Sequence, residues 1–95
     1  MNTKNEYIRK MQAKLEELSI EIDKLTARKD EIKADVKVEY DEMIAALKVK
    51  LDGARLKTEE LKHAGEHAWE DLKTGIDAVK TSIGEAIESA RSRFK

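Results

Sequence analysis

The feature that most constrains this chain is its apolar rhythm, carried along a sequence without a single proline. In the first half, Ile8, Met11, Leu15, Leu18, Ile22, Leu25 and Ile32 follow steps of three and four, a heptad a/d pattern. Such a pattern lays one apolar stripe along a helix, and a lone helix cannot bury its own stripe. Composition supports the same reading: Ala, Glu, Lys, Leu and Arg make up just over half of the 95 residues, the bias of long helices and coiled coils. Without cysteine, a disulfide scaffold or thiolate metal site is excluded. A β-sandwich is disfavoured by the scarcity of turn residues and β-branched runs. The expected fold class is all-α: a long, nearly continuous amphipathic helix forming a coiled coil or helical bundle by self-association. A helical hairpin turning near 52–54 is the alternative.

Thr3 with Glu6 forms a capping-box pattern, so the first helix is expected to start near residue 3 or 4. The seam position between Leu25 and Ile32 is Lys29, read as a weak point where the side chain snorkels outward. Beyond Ile32, the seam candidates Val36, Tyr40, Met43, Leu47, Leu51 and Ala54 include paired steps of four, a drift toward a longer period. Later, Leu61, Leu72, Ile83 and Phe94 are spaced by eleven, as are Gly65, Ile76 and Ile87, and Ala68, Val79 and Ala90. The organisation expected is a single helical unit over 1–95, with a heptad-like segment over 4–51 and an eleven-residue-repeat amphipathic segment over 54–94. The second segment holds most of the Gly, Ser and Thr, so it is the softer helix. Asp52-Gly53 could end a helix, but nothing after it restarts one, and Ala64-Gly65 has the same defect.

On a helical wheel, the second half gathers Leu61, Trp69, Leu72, Ile76, Val79, Ile83, Ile87 and Phe94 in one arc. Lys62, Lys73, Lys80 and Arg91 border it, and Trp69 sits at the same edge. Two uses fit: a helix–helix seam with solvated flanks, which is preferred, or weak contact with a membrane surface. The net charge of −1 lacks the positive excess of phosphate-binding chains, so no nucleic acid is expected. The opening MNTKNEYIRK lacks the apolar core of a secretory signal, and no run is long enough to span a bilayer, so the expected location is cytoplasmic.

His63-Ala64-Gly65-Glu66-His67 matches the H-x-x-E-H word of inverted zinc proteases. On a helix, His63 and His67 would share one face and could share a metal. Both map to the polar side, with no cleft indicated, so solvated histidines are the expected outcome and metal binding a remote alternative. Neither a cofactor nor a small-molecule substrate is expected. Lys29, Lys33 and Lys37 form a basic row beside an acidic row of Glu31, Asp35 and Glu39, a pattern that could align a partner but usually marks a solvated face.

Several words resemble a family of small bacterial coiled-coil proteins described as stress-response proteins of the cyanobacterial type. They are Tyr7-Ile8 with the Lys10–Leu15 stretch, Glu21-Ile22-Asp23-Lys24-Leu25, Glu39-Tyr40, and above all Ala68-Trp69-Glu70-Asp71-Leu72-Lys73 with Gly75 and the Ser92-Arg93-Phe94-Lys95 ending. The resemblance spans essentially the whole chain. It implies a helical, non-enzymatic bacterial protein and brings no catalytic residues. Val79 and Glu17-Leu18 stand where that family often has tryptophan. The functional expectation is a non-catalytic, self-associating coiled-coil protein with a structural or stress-related role, its expected partner being further copies of itself in a homo-oligomer. A membrane-surface or protein-protectant helix is the alternative.

Overall fold

A computed structural model describes residues 3–94. Three helices, α1 (Thr3–Ala27), α2 (Lys37–Leu61) and α3 (Ala68–Arg93), are joined by residues 28–36 and 62–67. The first connection contains two short 3-10 turns, Lys29–Glu31 and Ala34–Val36. Between them Ile32 and Lys33 are extended, with ψ of 137° and 144°. The fold is therefore an up-down-up bundle in which each helix packs on the other two. Its extents are 51 × 17 × 17 Å, against roughly 140 Å for a continuous helix of this length.

The breaks have a cause in the apolar rhythm. Continuing the α1 seam past Leu25 in steps of four and three would bring Lys29, Ile32, Val36, Glu39, Met43, Ala46 and Lys50 inward. The residues that α2 buries are Tyr40, Ile44, Leu47, Leu51, Ala54, Thr58 and Leu61. That seam is itself a regular heptad, displaced by one residue. One residue on a helix is a rotation of about 100°, so an unbroken helix could not present both stripes to the same core. The drift in period is thus a phase slip between two heptad helices, and Lys29 marks the end of α1. Val36 and Met43, which follow the α1 phase, are only half-buried.

The second break repeats the slip. Extending the α2 rhythm would bury Ala68, Gly75 and Ser82, whereas α3 buries Trp69, Ile76, Ile83 and Ala90, spaced by seven. Leu72, Val79 and Ala86 are half-buried beside them. The eleven-residue repeat is accordingly not a surface of this fold: Leu61 ends α2, while Leu72, Ile83 and Phe94 belong to α3 or its end. Nor does the chain turn at 52–54. Gly53 lies inside α2 without a positive φ, and ending the helix there would forfeit burial of Thr58 and Leu61. Thr58, a polar residue in the seam, satisfies its hydroxyl by donating to the Ala54 carbonyl at 2.8 Å.

The α3 start lacks a side-chain cap at His67. Glu70 and Asp71 in its first turn place negative charge where the helix dipole is positive. Among the sequence-expected seam residues, Ile8, Met11, Leu15, Leu18, Ile22, Leu25, Ile32, Tyr40, Leu47, Leu61, Ile76, Ile83, Ile87 and Phe94 are buried. Ile44 takes the place expected for Met43.

Two substitutions check this arrangement by thermal or urea unfolding. A Cβ at Gly53 would meet no heavy atom within 4 Å, so Gly53→Ala should stabilise the fold by about 0.5–1 kcal/mol. Ile76 is fully buried, and Ile76→Ala should destabilise it by about 2–5 kcal/mol.

Candidate interaction surface

The chain's four aromatic residues occur as two pairs, one at each end of the bundle. At one end Tyr7 of α1 meets Trp69 of α3 with ring centroids 6.1 Å apart. The Lys73 ammonium lies over both rings, 5.4 Å and 5.8 Å from their centroids, within cation–π range. The Tyr7 hydroxyl donates to Asp77 Oδ1 at 2.6 Å, and Lys4 Nζ donates to the Ala64 carbonyl at 3.0 Å. At the other end Tyr40 and Phe94 meet edge to face, 4.9 Å apart at 81°. The Tyr40 hydroxyl donates to the Leu25 carbonyl at 2.5 Å, an acceptor that also takes the Arg28 backbone N–H at 3.1 Å. Arg28 Nη2 donates to the Phe94 carbonyl at 3.0 Å.

These contacts use most of the residues expected at a surface. Trp69 is only 8% exposed, so its indole is a packing element and not an interfacial anchor. Lys73 is held over two rings, and Lys80 is half-buried beside an α1–α3 groove formed with Tyr7, Met11 and Asp77. Arg91 pairs with Glu88 at 2.9 Å and also with Glu21. Lys62 pairs with Glu59 at 3.0 Å. The basic and acidic rows of residues 29–39 do not form a helix face, because the first connection interrupts them; Lys29 instead approaches Asp41 at 3.9 Å. Glu39 pairs with Arg93 and Glu16 with Arg55. Exposed pairs of this kind contribute roughly 0–1 kcal/mol each, so they orient the helices more than they stabilise them.

His63 lies in the connection and His67 immediately before α3, both exposed. The connection removes the helical spacing that would have aligned them. Among the described residues, no group of three or more His, Asp or Glu side chains could hold a metal ion. An open depression of about 730 Å³ lies at this end between Thr3, Lys4, Glu66, His67 and Glu70. Among the described residues, no helix is long and apolar enough to cross a membrane.

The surface missed by the sequence reading is the outer face of α2. Val38, Val49 and Leu56 are 71%, 70% and 67% exposed, and Ala45 is exposed with them. On a helical wheel all four fall within about 40° of one another, opposite the stripe that α2 turns to the core. Their spacings of seven, four and seven fit one heptad seam, which Glu42 and Asp52 complete. The signal was present in the sequence, but a helix with two apolar stripes cannot be recognised until one stripe has found its partner. Ile20 of α1, 47% exposed, stands apart from it.

With this geometry in place, comparison with known proteins adds no relative: no protein family, curated protein or solved structure matches the chain.

Burial pushes the Tyr7 hydroxyl above the ordinary tyrosine range, reinforced by its hydrogen bond to Asp77 and by that carboxylate's charge. Burial also raises Tyr40; Arg28 opposes the shift and Glu31 adds to it. Above about pH 10 the unfolded chain loses these protons first, so it binds fewer protons than the folded chain and stability falls as pH rises. In urea titrations between pH 8 and 11.5, Tyr7→Phe with Tyr40→Phe should flatten that decline. At neutral pH, Tyr40→Phe alone should cost about 0.5–1.5 kcal/mol by removing one buried hydrogen bond, since the Leu25 carbonyl keeps its bond from the Arg28 N–H.

Proposed function

We propose that this chain is a non-catalytic helical-bundle protein that acts by self-association through the outer face of α2. The observation that carries this reading is the Val38–Leu56 stripe, apolar, heptad-spaced and solvent-exposed. The core seams are satisfied within one chain, so association needs no opening of the bundle. It differs in that respect from the continuous-helix coiled coil, whose partner would have had to cover the α1 seam itself. A structural or stress-related bacterial role, in the cytoplasm, is consistent with the resemblance of the Ala68–Lys73 word to small stress-response coiled-coil proteins. A homo-oligomer is the partner this reading supplies.

Sedimentation equilibrium over a concentration series tests it. The wild-type chain should show concentration-dependent mass above 10.8 kDa at tens of micromolar. Val49→Lys with Leu56→Lys should remain at the monomer mass with unchanged helical circular dichroism, since both side chains point away from the core. A wild-type chain that stays monomeric to millimolar concentration would sink the proposal.

A further inference from the structure

The side of the bundle away from α2 carries a separate feature. A groove of about 310 Å³ runs between α1 and α3, lined by Tyr7, Met11 and Asp77 together with Lys10, Lys14 and Lys80. Lys73 adjoins it, its ammonium held over the Tyr7 and Trp69 rings. Lys10 and Lys14 are four residues apart on α1, about 6 Å along the axis, and Lys73 and Lys80 are seven apart on α3, about 10.5 Å. Lysines from two helices therefore converge on one short stretch of groove.

The charge there is not balanced as it is elsewhere. The chain has 19 basic and 20 acidic residues, and basic side chains that cross between helices generally meet a carboxylate: Arg55 meets Glu16, Arg91 meets Glu21 and Arg93 meets Glu39. Among the described residues, Lys10 and Lys80 make neither a hydrogen bond nor an ion pair. Two carboxylates approach the groove. Glu17 is paired with Lys14 at 3.5 Å, and Asp77 accepts the Tyr7 hydroxyl at 2.6 Å. Glu6, Glu70 and Glu88 lie farther round their helices and are exposed. Lys80 is half-buried, so its ammonium has given up part of its hydration without gaining a counter-charge. Such a group is costly to bury alone, and an anion in the groove would relieve that cost.

We propose that the α1–α3 groove binds a small multivalent oxyanion of the phosphate class, held by Lys10, Lys14, Lys73 and Lys80. The donor type points to that class. Lysine ammonium groups are point charges that can approach a tetrahedral anion from several sides, whereas the planar guanidinium fork that suits a carboxylate does not line the groove. The spread of the lysines suits two linked phosphate groups, each reached from both helices, better than one. Every donor is a side chain, because the backbone amides here are engaged in α1 and α3. The affinity is therefore electrostatic and falls as salt is added. The groove faces away from the Val38–Leu56 stripe, so this site stands whether or not the chain self-associates.

A free diphosphate and the phosphomonoester headgroup of an acidic lipid offer the same chemistry, and two titrations of the full chain at low ionic strength separate them. In the first, sodium pyrophosphate is added and backbone amide shifts are followed by NMR. Saturable shifts should concentrate in residues 7–14 and 73–84. Lys10→Gln and Lys80→Gln should each weaken binding about fivefold and together more than tenfold, with helical circular dichroism unchanged. Lys57→Gln, which removes an exposed lysine of α2, should leave binding as it was. Asp77→Asn removes the one carboxylate lining the groove and should tighten binding several-fold, a gain that a damaged fold cannot imitate.

In the second titration, phosphatidylcholine vesicles with and without phosphatidic acid are tested by flotation. A pyrophosphate response without flotation assigns the site to a free anion. Flotation that needs phosphatidic acid and is lost in the Lys10→Gln, Lys80→Gln double variant assigns it to a headgroup, and a response in both titrations supports the shared chemistry. Shifts spread over every lysine-bearing face, an equal loss in Lys57→Gln, or no response in either titration overturns the site.

Discussion

A one-residue slip in the apolar rhythm governs the architecture. Within each helix the seam keeps a regular heptad, and across each connection the next seam is displaced by about 100° around the helix axis. A straight helix can turn only one stripe toward a common core. The chain satisfies all three only by stopping, reversing and stopping again. The connections fall where the slips occur, so Lys29 sits in the connection just beyond α1 and not in the middle of a seam. The same constraint explains why Gly53 remains helical: the α2 stripe continues in phase through Leu51, Ala54, Thr58 and Leu61, and a turn there would expose its second half.

The ends of the bundle rely on a different interaction. Heptad stripes of aliphatic residues specify which face is buried but only loosely specify sliding along the axis. The aromatic pairs remove that freedom. Tyr7 with Trp69 and Tyr40 with Phe94 join α3 to α1 at one end and to α2 at the other. Each tyrosine also hydrogen-bonds across elements, so a shift of one turn would break a ring contact and strand a polar group together. Exposed ion pairs such as Lys29–Asp41 contribute direction and little energy. The glycines of α3 weaken it as an isolated helix; burial of Ile76, Ile83 and Ile87 offsets that cost only when the bundle is assembled.

α2 is the element with two apolar faces. Its inner stripe is consumed by the fold, and its outer stripe holds three of the four exposed large hydrophobic residues among those described. In the proposed reading, association and stability reside on opposite sides of one helix. Substitutions on the outer side can alter association without disturbing the core, a separation that a continuous self-associating coiled coil would not allow, since there the seam serves both purposes.

Much was decided by the sequence alone. Helicity follows from the heptad steps, the helix-forming composition and the lack of proline, and the buried positions of α1 follow from Ile8 to Leu25 without further information. The slips at residues 29–40 and 61–69 were also legible in principle, although they resemble a gradual change in period when the chain is taken as one helix. Only the tertiary structure decided that Trp69 is a packing residue, that His63 and His67 lose their helical alignment, and that Val38, Ala45, Val49 and Leu56 stay in solvent. Periodicity identifies faces suited to burial, but whether a face is buried depends on which other faces the chain brings within reach, and that choice is made by all three helices at once.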